Sequence, residues 1–137
     1  MSHQCDKPRT QGNLHEVHED LQAVAQRAIE LCKEAGLDFI VTDGNRTLAE
    51  QQRFVATGKS QTMKSRHLGG FALDFVAVFP DGRISWDWDD MTAIAQVFKT
   101  AAAELEIPVE WGGDWKHFKD SPHIQLAKES YPDVLAV

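Results

Sequence analysis

The chain has 137 residues, of which 42% are hydrophobic and 26% charged, and its formal net charge at pH 7 is -7. This length is typical of one domain, and the hydrophobic content suffices for a core that needs no disulfides. The acidic balance argues against a protein that binds nucleic acid through its phosphates, and against a binder of anionic membranes.

The N-terminal residues 1–12 are polar and predict a loosely docked tail, followed by a single domain over residues 13–137. The tail lacks the apolar core of a signal peptide, and no apolar stretch reaches the length of a membrane span. We therefore expect a chain that is made in a cytoplasm and does not insert into a membrane. Cys5 and Cys32 lack a Cys-x-x-Cys spacing, and we interpret them as a tail thiol and a core thiol.

The first half of the domain predicts two helices and a strand. Apolar residues recur at spacings of three and four over residues 13–35, which predicts an amphipathic helix, and Gly36 stands at the position of a C-cap glycine. Residues 38–43 are rich in β-forming residues and predict a short strand. Residues 47–50 form a capping-box pattern, so a second helix is predicted over residues 48–57.

The second half begins with the most apolar segment, residues 72–79, which predicts a central strand. A Pro-Asp-Gly turn leads from it into a short return strand at residues 83–86. Asp89 or Asp90 then caps a third helix that ends before Pro108. Its predicted buried stripe consists of Met91, Ile94, Ala95, Phe98, Ala102 and Leu105.

Two more short strands are predicted at residues 109–111 and 123–126, joined by the loop 112–122. The predicted fold class is α+β, with three helices packed on a small, largely antiparallel sheet. We expect the functional site to lie at the face of this sheet.

A candidate metal site is concentrated in residues 65–74, which read Ser-Arg-His-Leu-Gly-Gly-Phe-Ala-Leu-Asp. The two glycines allow the backbone to turn, so His67 can fold back towards the strand that carries Asp74. An imidazole and a carboxylate are two of the three protein ligands of a catalytic zinc site. A distant histidine should be the third, and His123, preceded by Asp120 at an offset of three, is the candidate.

Asp120 is the candidate general base. A zinc ion held by two imidazoles and one carboxylate keeps an open position, lowers the pKa of water there and polarises a peptide carbonyl. A carboxylate beside it can take the proton of the water and pass it to the departing amine. The alternative is a solvated carboxylate in an Asp-Ser-Pro turn, and the residues alone leave both interpretations open.

These motifs resemble a known family. The pattern of Ser65, His67 and Asp74, followed later by Asp120 and His123, is similar to the signature of the D-alanyl-D-alanine carboxypeptidase and dipeptidase family of zinc peptidases. Residues 43–47, the pair at 51–52 and residues 111–115 resemble the L-alanyl-D-glutamate peptidases within it, which are peptidoglycan endopeptidases and often phage endolysins.

The resemblance implies one zinc ion per chain, with His67, Asp74 and His123 as ligands and Asp120 as the catalytic base. Many relatives carry Glu at the base position, and the shorter Asp here is a departure from the pattern. The resemblance also favours Arg46 as a group that binds a substrate carboxylate or the developing oxyanion.

Other residues receive weaker assignments. Ser65 is a candidate to bind substrate or to orient His67, and Trp115 is a candidate wall of a substrate groove, whereas Trp111 is assigned to the core. The basic residues Lys59, Lys64 and Arg66 are interpreted as a solvated loop, His15 and His18 as surface residues of a helix, and His117 receives no role.

The leading hypothesis is a zinc-dependent endopeptidase that cuts the L-Ala–D-Glu bond of peptidoglycan stem peptides and acts as a phage endolysin. It would be a monomer without a separate cell-wall-binding domain, made in the host cytoplasm, and would reach the wall through a holin-like pore. The alternatives are a D-alanyl-D-alanine carboxypeptidase or dipeptidase on the same scaffold and a non-catalytic, zinc-containing module that binds peptidoglycan.

Overall fold

The computed structural model describes residues 3–45, 48–58, 66–67 and 69–132. Over these residues the chain forms four α-helices, five strands and two 3₁₀ turns. The helices are α1 (Pro8–His15), α2 (Glu19–Ala35), α3 (Leu48–Ala56) and α4 (Trp88–Leu105). The strands are β1 (Phe39–Asp43), β2 (Ala72–Val78), β3 (Ile84–Ser85), β4 (Val109–Trp111) and β5 (His123–Leu126), and the 3₁₀ turns are Gln4–Asp6 and Gly112–Asp114.

The strands form one antiparallel sheet in the order β1-β2-β5-β4, and β3 pairs with the far end of β2. The predicted α+β class is confirmed, although the described residues contain four α-helices rather than three. Among these helices, none combines the length and the apolarity that a membrane span requires.

The N-terminal segment is not a loose tail, and that prediction is wrong. The backbone N–H groups of Gln4 and Cys5 donate to the carboxylate of Asp38 at 2.7 and 3.0 Å, and the Cys5 side chain is fully buried. Cys5 is therefore a core thiol, as is Cys32. The polar composition that suggested a tail reflects side chains that bond to the rest of the fold.

Helix α1 covers the open edge of β1. The Val41 N–H donates to Thr10 Oγ1 at 3.1 Å, and the Val41 carbonyl accepts from Asn13 Nδ2 at 2.8 Å. Both backbone groups of an edge residue are thereby satisfied by helix side chains, which protects the edge from pairing with another chain.

The predicted helix over residues 13–35 is broken at residues 16–18, which connect α1 to α2. His18 is the N-cap of α2, because its Nδ1 accepts from the Asp20 N–H at 3.0 Å, so it is not the helix-surface residue that was predicted. Helix α2 ends as predicted at Gly36, which has the left-handed conformation of a C-cap glycine.

The core lies between the sheet and the helix pair α2 and α4. The ring of Phe98 on α4 stacks on Phe75 of β2 and tilts against Phe39 of β1, with centroids 5.5 and 5.2 Å apart. Trp111 is buried in this core, as predicted. In contrast, Leu105 is 40% exposed, and Ala101 completes the buried stripe of α4 instead.

Candidate metal centre and active site

The register of the sheet brings two of the predicted ligands together. Asp74 on β2 stands directly opposite His123 on β5, and Asp74 Oδ1 lies 3.4 Å from His123 Nδ1. Their neighbours on either side, such as Leu73 and Ile124, point into the core. Because side chains alternate along a strand, Asp74 and His123 project from the opposite face of the sheet.

His67 reaches the same face from the turn that precedes β2. Its Nε2 lies 3.3 Å from Asp74 Oδ1, and its ring meets the ring of His123 edge-on at a centroid distance of 5.3 Å. The turn is held by Gly70, whose φ of 78° and close approach to the His18 backbone exclude a side chain. The Gly70 carbonyl accepts from the His18 N–H at 2.9 Å, which ties the turn to the connection between α1 and α2.

The second nitrogen of His67 has its own partner. His67 Nδ1 lies 2.8 Å from the carbonyl oxygen of Gly44. A carbonyl can only accept, so Nδ1 carries the proton and Nε2 keeps its lone pair towards Asp74. This is the arrangement that a metal-binding histidine requires.

His123 is oriented by a different kind of partner. Its Nε2 lies 2.8 Å from Gln125 Oε1, and Gln125 Nε2 donates to Glu110 Oε2 at 2.9 Å. With Nε2 donating to the amide oxygen, Nδ1 keeps its lone pair towards Asp74. The two histidines therefore turn different ring nitrogens to the same carboxylate.

The donor set fits a metal ion. The ligand atoms of His67, Asp74 and His123 all lie within 4.8 Å of one another. Asp74 Oδ1 is buried and accepts no hydrogen bond, which is unusual for a carboxylate oxygen unless an ion completes its coordination. Burial raises the pKa of the Asp74 carboxyl, but the imidazoles of His123 and His67, when protonated, outweigh burial and hold the pKa below its ordinary value. Two imidazoles and one ionised carboxylate are a catalytic zinc set.

Asp120 lies at the edge of this cluster. Its N–H donates to the Gly112 carbonyl at 3.0 Å, and its own carbonyl accepts from the His123 N–H at 3.1 Å, so its backbone is fixed on both sides. Burial and the charge of Asp74 raise the pKa of Asp120 above its ordinary value, against the opposing effect of the two imidazoles. A half-buried carboxylate with a raised pKa is suited to accept a proton.

Trp115 borders the cluster on the side of the 3₁₀ turn. Its ring is tilted against His123 with a centroid distance of 5.3 Å. The same ring lines a cavity of about 520 Å³ between α4 and β4, which is also lined by Lys99, Glu110 and Trp111. Trp111 therefore lies in the core as predicted, and Trp115 lies beside the site, where its role as a groove wall stays a prediction.

The sequence profile of the family described as phage L-alanyl-D-glutamate peptidase matches residues 1–130 of this chain. The chain belongs to this family. It is 35% identical over 122 residues to the L-alanyl-D-glutamate peptidase of Escherichia phage T5, and the match covers 86% of this chain and 85% of that protein. It is 32% identical over 123 residues to the enzyme of the same name from Listeria phage A118, a match that covers 90% of this chain but only 42% of that longer relative.

A solved structure agrees with this assignment. The fold is similar to that of ChiX, the L-Ala D-Glu endopeptidase of Serratia marcescens, with a TM-score of 0.80, 45% sequence identity and 90% of each chain covered. The resemblance found in the sequence is thus confirmed, and as a member of the L-alanyl-D-glutamate peptidase family the chain is assigned to the peptidoglycan hydrolases.

Several residues predicted for this family member are not placed by the structure. Arg46 and Ser65, the candidate substrate-binding residues, lie outside the described residues, and so do Lys59 and Lys64. Arg66 is described and is not solvated as predicted. It is buried, donates to the Leu126 carbonyl at 2.8 Å and lies over the Phe71 ring. His117 is exposed.

Sequence reasoning missed the residues that orient the ligands. Gln125 could have been found, because it follows His123 by two positions on a predicted strand and therefore shares its face. Glu110 could have been found only with the register of β4 against β5, and the Gly44 carbonyl carries no sequence signal at all.

Proposed function

We propose that the protein is a zinc-dependent endopeptidase that hydrolyses the L-Ala–D-Glu bond of peptidoglycan stem peptides. In this proposal His67, Asp74 and His123 hold one zinc ion and Asp120 is the catalytic base. The observation that carries it is the buried Asp74 Oδ1, which accepts no hydrogen bond and lies within 3.4 Å of a nitrogen of each histidine.

The residues divide the chemistry among them. When bound, zinc supplies a Lewis acid and an open position for water and for the substrate carbonyl. Asp120 takes the proton of the attacking water and then gives it to the amine of the departing D-Glu. The raised pKa of Asp120 suits both steps, because a weakly acidic carboxyl accepts and returns a proton readily.

The substrate would lie across the polar face of the sheet. Trp115 forms one wall, beside His123. Arg46 and Ser65 remain predicted substrate-binding residues, with Arg46 suited to a carboxylate of the stem peptide.

The phage relatives support a role in host lysis. We propose that the enzyme is made in the host cytoplasm, acts as a monomer and reaches the cell wall through a pore formed by a holin-like partner. Peptidoglycan is its substrate, and neither nucleic acid nor membrane insertion is part of the proposal.

Digestion of purified peptidoglycan followed by mass spectrometry tests the bond that is cut. We expect stem peptides that begin at D-Glu, with L-Ala left on the glycan. Release of free D-Ala would instead assign the chain to the carboxypeptidase alternative, and absence of any product would favour a binding module.

Asp120→Asn tests the proposed base. Asn keeps the size of the side chain but cannot accept the proton, so hydrolysis should fall roughly 10²–10⁴-fold while zinc content stays unchanged. Asp114→Asn is the matched control, because Asp114 lies in the same loop but is exposed and paired with Lys99 at 2.6 Å. His123→Ala should lower zinc content and activity together.

The two readouts separate the possible errors. Near-full activity of Asp120→Asn would show that the base lies elsewhere, and loss of zinc would make Asp120 a ligand.

A further inference from the structure

Glu110 and Gln125 form a hydrogen-bonded pair behind His123. They are register partners on β4 and β5, so they lie on the same face of the sheet as the proposed metal centre. Gln125 is buried at 6% exposure, and its two amide atoms have different partners, His123 Nε2 at 2.8 Å and Glu110 Oε2 at 2.9 Å. Neither residue has a part in the chemistry proposed above.

The donor and acceptor groups of Glu110, Gln125 and His123 determine the direction of the two hydrogen bonds that link them. A glutamine amide can turn either its oxygen or its nitrogen towards a neighbour, so Gln125 alone does not determine what His123 meets. An ionised carboxylate only accepts hydrogen bonds. Glu110 therefore selects the orientation in which Gln125 Nε2 faces it, and the amide oxygen is left to accept from His123.

The orientation of the Gln125 amide determines whether His123 Nδ1, the ring nitrogen that faces Asp74, carries a proton. When His123 Nε2–H donates to the amide oxygen, Nδ1 is unprotonated and its lone pair points to Asp74 Oδ1, 3.4 Å away. If the amide turned over, Gln125 Nε2 would donate to His123 Nε2, and the proton of the neutral ring would move to Nδ1. With a proton on it, Nδ1 would have no lone pair with which to bind a metal ion.

We propose that Glu110 is a positioning residue that acts through the Gln125 amide to fix the Nε2–H tautomer of His123. The inference rests on the proposed function, since the tautomer matters because His123 is a proposed zinc ligand. His67 provides an internal reference, because its tautomer is fixed by the backbone carbonyl of Gly44, which the Glu110 side chain does not touch.

Glu110→Gln is the first test, because it keeps the shape of the side chain but allows either orientation of the two amides. We expect zinc affinity, measured by chelator competition on the full-length chain, to fall roughly 10- to 100-fold, the usual effect of losing an outer hydrogen-bond partner. Nitrogen-15 NMR of the zinc-free chain, at a pH where both imidazoles are neutral, should show the Nδ1–H tautomer appearing at His123, whereas His67 should keep the Nδ1–H tautomer that it already has.

The exchanged pair Glu110→Gln with Gln125→Glu is the rescue. Here the residue at 110 donates to the carboxylate at 125, and that carboxylate accepts from His123 Nε2–H, so the required tautomer returns. We expect zinc affinity within a few-fold of wild type and a restored His123 signal. Asp114→Asn, which removes one nearby charge without touching the pair, should change neither readout.

The outcomes are distinct from those that test the function. A wild-type chain that binds zinc and cuts stem peptides, with Glu110→Gln unchanged in affinity and in His123 tautomer, would overturn this inference alone. Loss of affinity without a change of tautomer would also overturn it, since Glu110 would then act through its charge. If the wild type bound no zinc, the proposed function would fail, and the His123 tautomer would still decide the role of Glu110.

Discussion

The imidazoles of His67 and His123 are oriented by hydrogen-bond partners of different kinds. The Gly44 carbonyl that orients His67 belongs to the backbone, whereas the amide that orients His123 belongs to a side chain. The orientation of His67 is as rigid as the backbone around residue 44. The orientation of His123 depends on two side chains, Gln125 and Glu110, that substitution can change. Substitutions near His67 should therefore act through backbone geometry, and those near His123 through hydrogen-bond chemistry.

Gly44→Ala should disturb both stability and the site. A Cβ at residue 44 would lie 2.5 Å from the Asn13 carbonyl oxygen and 3.2 Å from Val17 Cγ1, so either the end of α1 or the carbonyl that holds His67 must move. We expect a loss of about 1–3 kcal/mol in the free energy of unfolding, typical of overpacking, together with weaker zinc binding. Urea unfolding and chelator competition measure the two effects.

Gly12→Ala is the matched control for that substitution. Gly12 lies within α1, is exposed and has no atom within 4 Å of an added Cβ. Alanine there should raise stability by about 0.5–1 kcal/mol, because glycine is a poor residue inside a helix. If both variants had the stability of the wild type, the close packing of Gly44 against α1 would not constrain the fold.

At the scale of elements, local patterns predict the strands and the longer helices well. Strands β4 and β5 have their predicted bounds, because each is short, apolar on alternate positions and flanked by proline or loop residues. Asp74 and His123 were predicted to converge for the same reason, since each lies on a recognisable strand.

The N-terminal elements could not be predicted in this way. Helix α1 is polar and bonds to Val41 of β1, and the 3₁₀ turn before it bonds to Asp38. Both partners lie about thirty residues further along the chain. The break between α1 and α2 interrupts an apolar stripe that continues through it, because residues 16–18 pack on the Gly70 turn. Both features depend on tertiary contacts that periodicity does not report.

Asp38→Asn tests how firmly this N-terminal element is held. The two carboxylate oxygens accept from Gln4 and Cys5, and an amide would turn a donor towards one of these N–H groups. We expect unfolding free energy to fall by about 1.5–3 kcal/mol, the usual value of a hydrogen bond to a charged group, and faster amide exchange in residues 4–15. Asp81→Asn, in the exposed turn before β3, should lower stability far less, because water screens the ion pair between Asp81 and Arg83. Equal effects of the two substitutions would mean that Asp38 does not anchor the segment.

At the scale of the whole molecule, the core and the site occupy opposite faces of one sheet. Leu73, Phe75 and Ile124 pack with α2 and α4, whereas Asp74 and His123 alternate with them and face the other way. The apolar burial that stabilises the fold is therefore separate from the proposed metal centre. Removal of zinc should abolish hydrolysis and leave most of the fold intact.

The reactivity of the two buried thiols tests two things: whether the core is stable without zinc, and whether the N-terminal segment stays docked on the core. Cys5 and Cys32 are fully buried, and burial raises the pKa of each thiol to about 12, so almost no reactive thiolate exists near neutral pH. We expect both thiols to react slowly with a thiol reagent, at a rate that a zinc chelator does not change, and to react rapidly in denaturant. Mass spectrometry of digested protein assigns the label to each cysteine.

Rapid labelling of Cys5 alone would show that the N-terminal segment opens independently of the core. Rapid labelling of both thiols after chelation would show that the metal, and not the core between the sheet and the helices, holds the molecule together.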